Sequence, residues 1–424
     1  MIAALPSDGR VVPPAKLVRA GALRCACRDR ATGALWLGAD RGALCWYPER
    51  GEWRHLRLDD QPVRACGAGP QGAWLVAGGW LTQPDRHGAG LRRHRLQEAM
   101  GRPVEVDGLA ADRGGIWMVV RSVDGLVPSL LRLPYHPPAF QRFHPRLVYA
   151  GGRVIAVAGD GERAWALGLR FVVELDENSV IRAGNAIGPD EPMLPRFCAE
   201  PAPAAATPEE ELFGVLGELG ANRWLRAHPR GLVGRNDTGL FCMPHGGQAS
   251  CPQLPGRLDL FATDWLAVGA AMLVGTPVGL YVAERGRVRV LAPGQPVLAL
   301  LDGDPPIAVT RDAVHVLTPE VLARAPEVAP DPAGFARELV RRAPDDLSPP
   351  RRALVARLIG LIGRADDLVL LVQLLEDPAA EVRAAACTAL GRLSPPGAPA
   401  LLARMMADPA TPVQAAASAA LRGG

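Results

Sequence analysis

"GALWLGADRGALCWYPERGEWRHLRL", residues 33–58, holds three apolar runs separated by two turn signals, Gly-Ala-Asp-Arg-Gly and Pro-Glu-Arg-Gly. Runs this short, bounded by Gly, Asp and Pro, read as β-strands joined by tight turns. The fold depends on whether this is one hairpin or a unit that the chain repeats.

The unit repeats. Similar texture returns as "GAWLVAGGWLTQ" around Trp74, "GIWMVVRSVDG" around Trp117 and "RAWALGLRFVVELDENSVI" around Trp165. Further on come "GLVGRNDTGLFCMPHG" near Gly234, "AMLVGTPVGLYVAERGRVRVL" near Gly275 and "PIAVTRDAVHVLTPE" near Thr310, which makes seven units. A lone four-stranded sheet leaves two apolar faces and two raw edges to cover. Packing about seven of them around an axis buries both faces of each. The tryptophans, Trp36 first, recur at a period of roughly 40 residues, the length of one propeller blade. The expectation is a β-propeller of about seven blades over residues 1–325, with a ring running from about Ala15 to Leu317. Trp36, Trp74, Trp117 and Trp165 then belong to the blade core. The Pro- and Ala-rich stretch at about 185–214 is read as an insertion.

The texture changes after the seventh unit. Residues 326–332 read as a linker, and from 333 to 424 the apolar spacing becomes helical. One constant step links Asp346, Asp377 and Asp408; the same step links Leu339, Leu370 and Leu401, and Arg352, Arg383 and Gln414. Asp377-Pro378 and Asp408-Pro409 supply a capping acceptor followed by Pro, expected to start the second helix of each pair. The expected fold class is therefore multidomain β + α, a propeller followed by a short α-solenoid of helix pairs.

Two resemblances attach to these residues. The G-x-L-W-x-G-x-x-x-G-L texture of the opening unit resembles the repeats of sensory propellers in bacterial two-component regulators. "LLEDPAAEVRAAACTALGRL", residues 374–393, resembles a HEAT repeat, which implies a stacked solenoid used for protein contact and pairing of its Asp and Arg residues between neighbouring repeats. The combination also resembles the propeller-bearing component of bacterial ternary systems built from a MoxR-type AAA+ ATPase, a von Willebrand A-domain protein and a degenerate propeller.

Composition narrows the function classes. The formal net charge is +3 over 424 residues, too small to imply nucleic-acid or membrane partners. Lys16 is the only lysine, so the abundant arginine reflects a GC-rich bacterial composition rather than selection for phosphate. No secretion signal or membrane span is evident, which makes the cytoplasm the expected compartment. Cys25 and Cys27 form C-x-C without a second pair at zinc spacing, and no metal site or cofactor is expected. The eight histidines are scattered and no nucleophile elbow or phosphate loop occurs.

Two functions follow. The first is a non-catalytic scaffold or adaptor, which the last resemblance implies to be a substrate-recognition subunit with an AAA+ ATPase and a von Willebrand A-domain protein as partners. The alternative is a lyase or hydrolase with its site in the central channel. For the scaffold, the arginine-rich start of the helical region, with Arg337, Arg341, Arg342 and Arg352, is the expected partner-binding face, suited to an acidic protein surface.

Overall fold

Seven antiparallel sheets follow one another along the chain in this computed structural model. The structure describes residues 9–11, 13–14, 19–85, 91–101, 103–122, 129–135, 141–143, 154–168, 172–175, 224–228, 231–236, 239–244, 254, 258, 262–328, 349–362 and 368–423. They divide into two compact units, one holding the strands and one the helices from Pro349 onward.

The first strand among the described residues is the two-residue β1 (Arg10–Val11). Blade one is β2 (Leu23–Arg28), β3 (Leu35–Ala39), β4 (Gly42–Tyr47) and β5 (Glu52–Leu56). Blade two is β6 (Val63–Gly69), β7 (Gly72–Ala77), β8 (Trp80–Pro84) and β9 (Leu91–Arg95), followed by a one-turn helix, α1 (Leu96–Met100). Blade three is β10 (Val104–Ala111), β11 (Gly115–Ser122), β12 (Ser129–Pro134) and β13 (Gln141–Phe143). Blades four and five each show three strands among the described residues. These are β14 (Val154–Gly159), β15 (Ala164–Gly168) and β16 (Val172–Leu175), then β17 (Trp224–His228), β18 (Gly231–Asn236) and β19 (Gly239–Pro244). Blade six is β20 (Asp264–Val268), β21 (Ala271–Thr276), β22 (Gly279–Glu284) and β23 (Arg287–Leu291). Blade seven contains β24 (Val297–Leu301), β25 (Ile307–Thr310) and β26 (Val314–Val316).

The first strand of each blade is the inner one. β2 lies beside β6, β6 beside β10, β10 beside β14, β14 beside β17, β20 beside β24 and β24 beside β2. Blades five and six are joined by Trp224 Nε1, which donates to the Ala262 carbonyl at 2.9 Å. These neighbours complete a circle: the unit is a seven-bladed β-propeller. Its closure differs from the sequence expectation. The outermost strand of blade seven is β1, with Arg10 opposite His315 and Val11 opposite Val314. The ring therefore begins before residue 15, and two residues are too few to show any strand periodicity.

Among the described residues six of the seven seams between blades hold an apolar cluster, which explains strands buried on both faces. In β3, Leu35 and Leu37 pack with Val309 and Val314 of blade seven, while Trp36 turns the other way toward Val63 and Leu75 of blade two. Trp36, Trp74, Trp117 and Trp165 are all buried, as the repeat pattern anticipates. The expected 185–214 insertion lies outside the described residues. After blade seven, Thr318 caps α2 (Pro319–Arg324) through its hydroxyl, and Val321 and Ala325 pack into the seam of blades six and seven. Pro326 and Val328, assigned to the linker by sequence, extend along β23: Val290 N–H donates to the Pro326 carbonyl and Val328 N–H to the Val288 carbonyl.

The second unit contains α3 (Pro349–Ile362), α4 (Leu368–Leu374), α5 (Ala380–Leu393), α6 (Ala398–Met405) and α7 (Thr411–Gly423). The constant repeat step is visible in its core, where Val355, Ala386 and Ala417 are all buried. α3 packs on α5 and α5 on α7. The approach is close: a Cβ on Gly360 would fall 2.8 Å from the Ala389 Cα, and one on Gly391 would fall 2.5 Å from the Ala420 Cβ. The helix starts differ from expectation. α5 and α7 begin three residues after Asp377 and Asp408, whose carboxylates instead accept the N–H of Ala379 and Ala410.

Candidate functional site

The inner strands enclose a cavity of about 450 Å³, lined by segments of blades one to five and seven. Short inner-strand residues such as Ala26, Gly67, Ala68 and Ala158 leave this space open, and three arginines line it. Arg28, at the end of β2, donates Nη1 to the Asp302 carbonyl at 3.0 Å. Arg30, in the turn after β2, donates Nη1 to the Asp160 carbonyl of blade four at 2.9 Å. Arg226, on β17, donates Nε to Asp264 Oδ2 at 3.2 Å.

The carboxylates are differently placed. Asp264 is fully buried and also accepts the N–H groups of Trp265 and Leu300. Asp160 Oδ1 accepts the N–H groups of Glu162 and Arg163, and Asp302 Oδ1 accepts that of Gly303. Glu162 pairs with Arg113. Carboxylates tied to amides and guanidiniums are fixed in place, which suits a structural frame.

Cys25, Cys27 and Cys66 lie together in the seam of blades one and two, with Cys27 and Cys66 on the cavity wall. Hydrogen bonding to Cys66 and burial push the Cys25 thiol well above its ordinary range. For Cys66 the bond with Cys25 acts downward, but the bond with Cys27 and burial outweigh it. Thiols so held stay protonated near neutral pH and are poor nucleophiles. Among the described residues, no group of three His, Cys, Asp or Glu is arranged to hold a metal ion.

In the helical unit, Arg352 Nε and Nη2 donate to Asp377 at 2.6 and 2.9 Å, and Arg383 makes the same two-pronged pair with Asp408 at 2.8 and 2.9 Å. Each arginine thus bonds the aspartate of the following repeat. Arg383 Nη1 also donates to the Asp377 carbonyl at 2.8 Å, and Gln414 Nε2 repeats that bond to the Asp408 carbonyl at 2.6 Å. Gln414 keeps the local half of the rung. Of the expected partner-binding residues, Arg352 is committed to this ladder with its side chain 19% exposed. Arg337, Arg341 and Arg342 lie outside the described residues.

The sequence reading missed the cavity arginines, which come from segments far apart in the chain with no shared spacing. It also missed Asp112 and Asp160, each five residues before a blade tryptophan. Both close the turn after an inner strand, and that offset was available in the sequence.

The helical repeats match a known family. Residues 336–422 match HEAT repeats. No curated protein matches the chain. Among solved structures, the β-propeller domain of Cps50 (Swd1) from Myceliophteria thermophila is 13% identical with a TM-score of 0.49, over 73% of this chain and all of that one. YCF48, in a structure with D1 peptide, is 11% identical with a TM-score of 0.46, over 75% of this chain and 98% of that one. The extracellular domain of a protein assigned as a hybrid two-component system of B. thetaiotaomicron is 10% identical with a TM-score of 0.47, over 72% of this chain. This chain spans about two fifths of that last one, 39%. At these identities the likeness concerns the fold alone.

Proposed function

We propose that the protein is a non-catalytic scaffold, with the propeller and the HEAT-like solenoid each offering a fixed surface to a protein partner. The observation that carries this reading is the stapled solenoid. The Arg352–Asp377 and Arg383–Asp408 pairs lock successive repeats, and the close α3–α5–α7 packing gives a continuous helical face. Rigid repeats lose little entropy on docking, which favours recognition of extended protein surfaces.

The finer reading is that it acts in the bacterial cytoplasm as the substrate-recognition component of a MoxR-type AAA+ ATPase and von Willebrand A-domain system. The joining of a degenerate propeller to helical repeats supports it. The test is affinity purification of the tagged full-length chain from its native host, with and without ATP. Recovery of both an AAA+ ATPase and an A-domain protein, with their genes beside this one, is the expected result. Recovery of neither, with neighbouring genes for a biosynthetic pathway, would favour a channel enzyme instead.

A further inference from the structure

We propose that the propeller channel binds a small oxyanion ligand, a carboxylate or phosphate compound of metabolite size, through Arg226, Arg28 and Arg30. This goes beyond the scaffold reading and stands without it. The cavity of about 450 Å³ has the volume of a small-molecule site, which typically spans about 300–1,000 Å³.

The argument rests on which hydrogen-bonding groups at the cavity remain unused. Arg226 is anchored by one donor only: its Nε reaches the buried Asp264, and among the described residues its two Nη nitrogens have no acceptor. The side chain is 42% exposed although it lies on an inner strand that lines the channel. A guanidinium fixed through Nε presents its remaining N–H fork in one orientation, the geometry that carboxylate and phosphate oxygens accept in pairs.

Arg28 and Arg30 complete the set. Each rests on a neutral carbonyl and neither has a carboxylate partner among the described residues. Arg28 lies over Gly303, where a Cβ would overlap its Nη1, so the glycine leaves room for the guanidinium. Asp160, Glu162 and Asp302 line the same cavity, so what distinguishes its groups is which hydrogen-bonding atoms are already used. Asp160 is satisfied by two amides, Asp302 by one, and Glu162 by Arg113. The cavity therefore keeps guanidinium N–H donors available while its carboxylate oxygens are largely engaged. Three arginines face three carboxylates here, so it is the unused guanidinium N–H donors, rather than net charge, that suit an entering oxyanion.

The test uses the full-length protein, titrated with inorganic phosphate, pyrophosphate and citrate by calorimetry and by thermal shift. Saturable binding of at least one anion is expected, weakening as NaCl rises from about 50 to about 500 mM. Comparing the phosphates with citrate decides between the two ligand chemistries. Arg226→Gln and Arg30→Gln should each raise Kd at least tenfold. If Arg226→Gln does not fold, Arg226→Lys keeps the charge while removing the fork, and should still weaken binding about tenfold. The proposal is overturned if none of the three anions binds saturably, or if Arg226→Lys and Arg30→Gln bind as tightly as the unmodified protein.

Discussion

Replacing Asp112 with Asn removes one charge and no volume, yet it should damage blade three. Asp112 is buried, 7% exposed, and accepts three hydrogen bonds: from Gly114 N–H and Gly115 N–H at 2.7 Å each, and from Trp117 Nε1–H at 2.6 Å. Asn offers one carbonyl and one NH₂. With the carbonyl toward the two glycine amides, the NH₂ faces the indole N–H, and two donors oppose each other. Losing a bond to a charged acceptor costs about 1.5–3 kcal/mol, and the stranded indole donor adds to it, so a loss of about 2–4 kcal/mol is expected. At roughly 2 °C per kcal/mol for a large domain, Tm should fall by roughly 4–8 °C. The assay is urea unfolding followed by tryptophan fluorescence and circular dichroism, run also on Trp117→Phe, which has no indole donor. In that background Asp112→Asn should cost only about 1 kcal/mol, leaving a coupling energy of about 1–3 kcal/mol. Equal midpoint shifts in the two backgrounds would refute the claim that this bond secures the turn.

Gly391→Leu should force α5 and α7 apart, because even a Cβ there would overlap Ala420. A loss of at least about 2 kcal/mol in the helical transition is expected by circular dichroism, and an unchanged transition would show that the helices do not meet at this point. Hydrogen bonds from Arg352 and Arg383 are the leading cause that holds the Asp377 and Asp408 carboxyls below the ordinary aspartate range. Their stabilisation is therefore complete above the unfolded value of about 3.9 and is lost as pH falls through the lower folded values. Melting curves between pH 6 and pH 2 should show a smaller acid-induced loss in the Asp377→Asn/Asp408→Asn double variant than in the unmodified chain, and equal losses would exclude the ladder as the cause. Charge reversal at Arg341 and Arg342 should reduce partner recovery in affinity purification while changing stability by no more than about 1 kcal/mol. Undiminished recovery would remove that face from consideration.

The sequence by itself determined the two architectures and their order. Strand alternation, turn residues and the constant helical step are short-range patterns, and each is set by which faces of a local element must be buried. The blade tryptophans and the seven-fold count were legible for that reason, whereas the pairing of the recurring Arg and Asp residues between repeats came from the resemblance to HEAT repeats. Only the tertiary structure decided what the inner strands bring together. A radial fold places one strand from each repeat beside a common axis, so Arg28 and Arg226 line one cavity although no spacing in the chain relates them. The same holds for Cys25 and Cys66, joined across a seam, and for Arg10 and Val11, which close the ring against β26 at the opposite end of the domain's sequence. Ring closure and channel chemistry arise from distances through space, and hydrophobic periodicity carries no record of them.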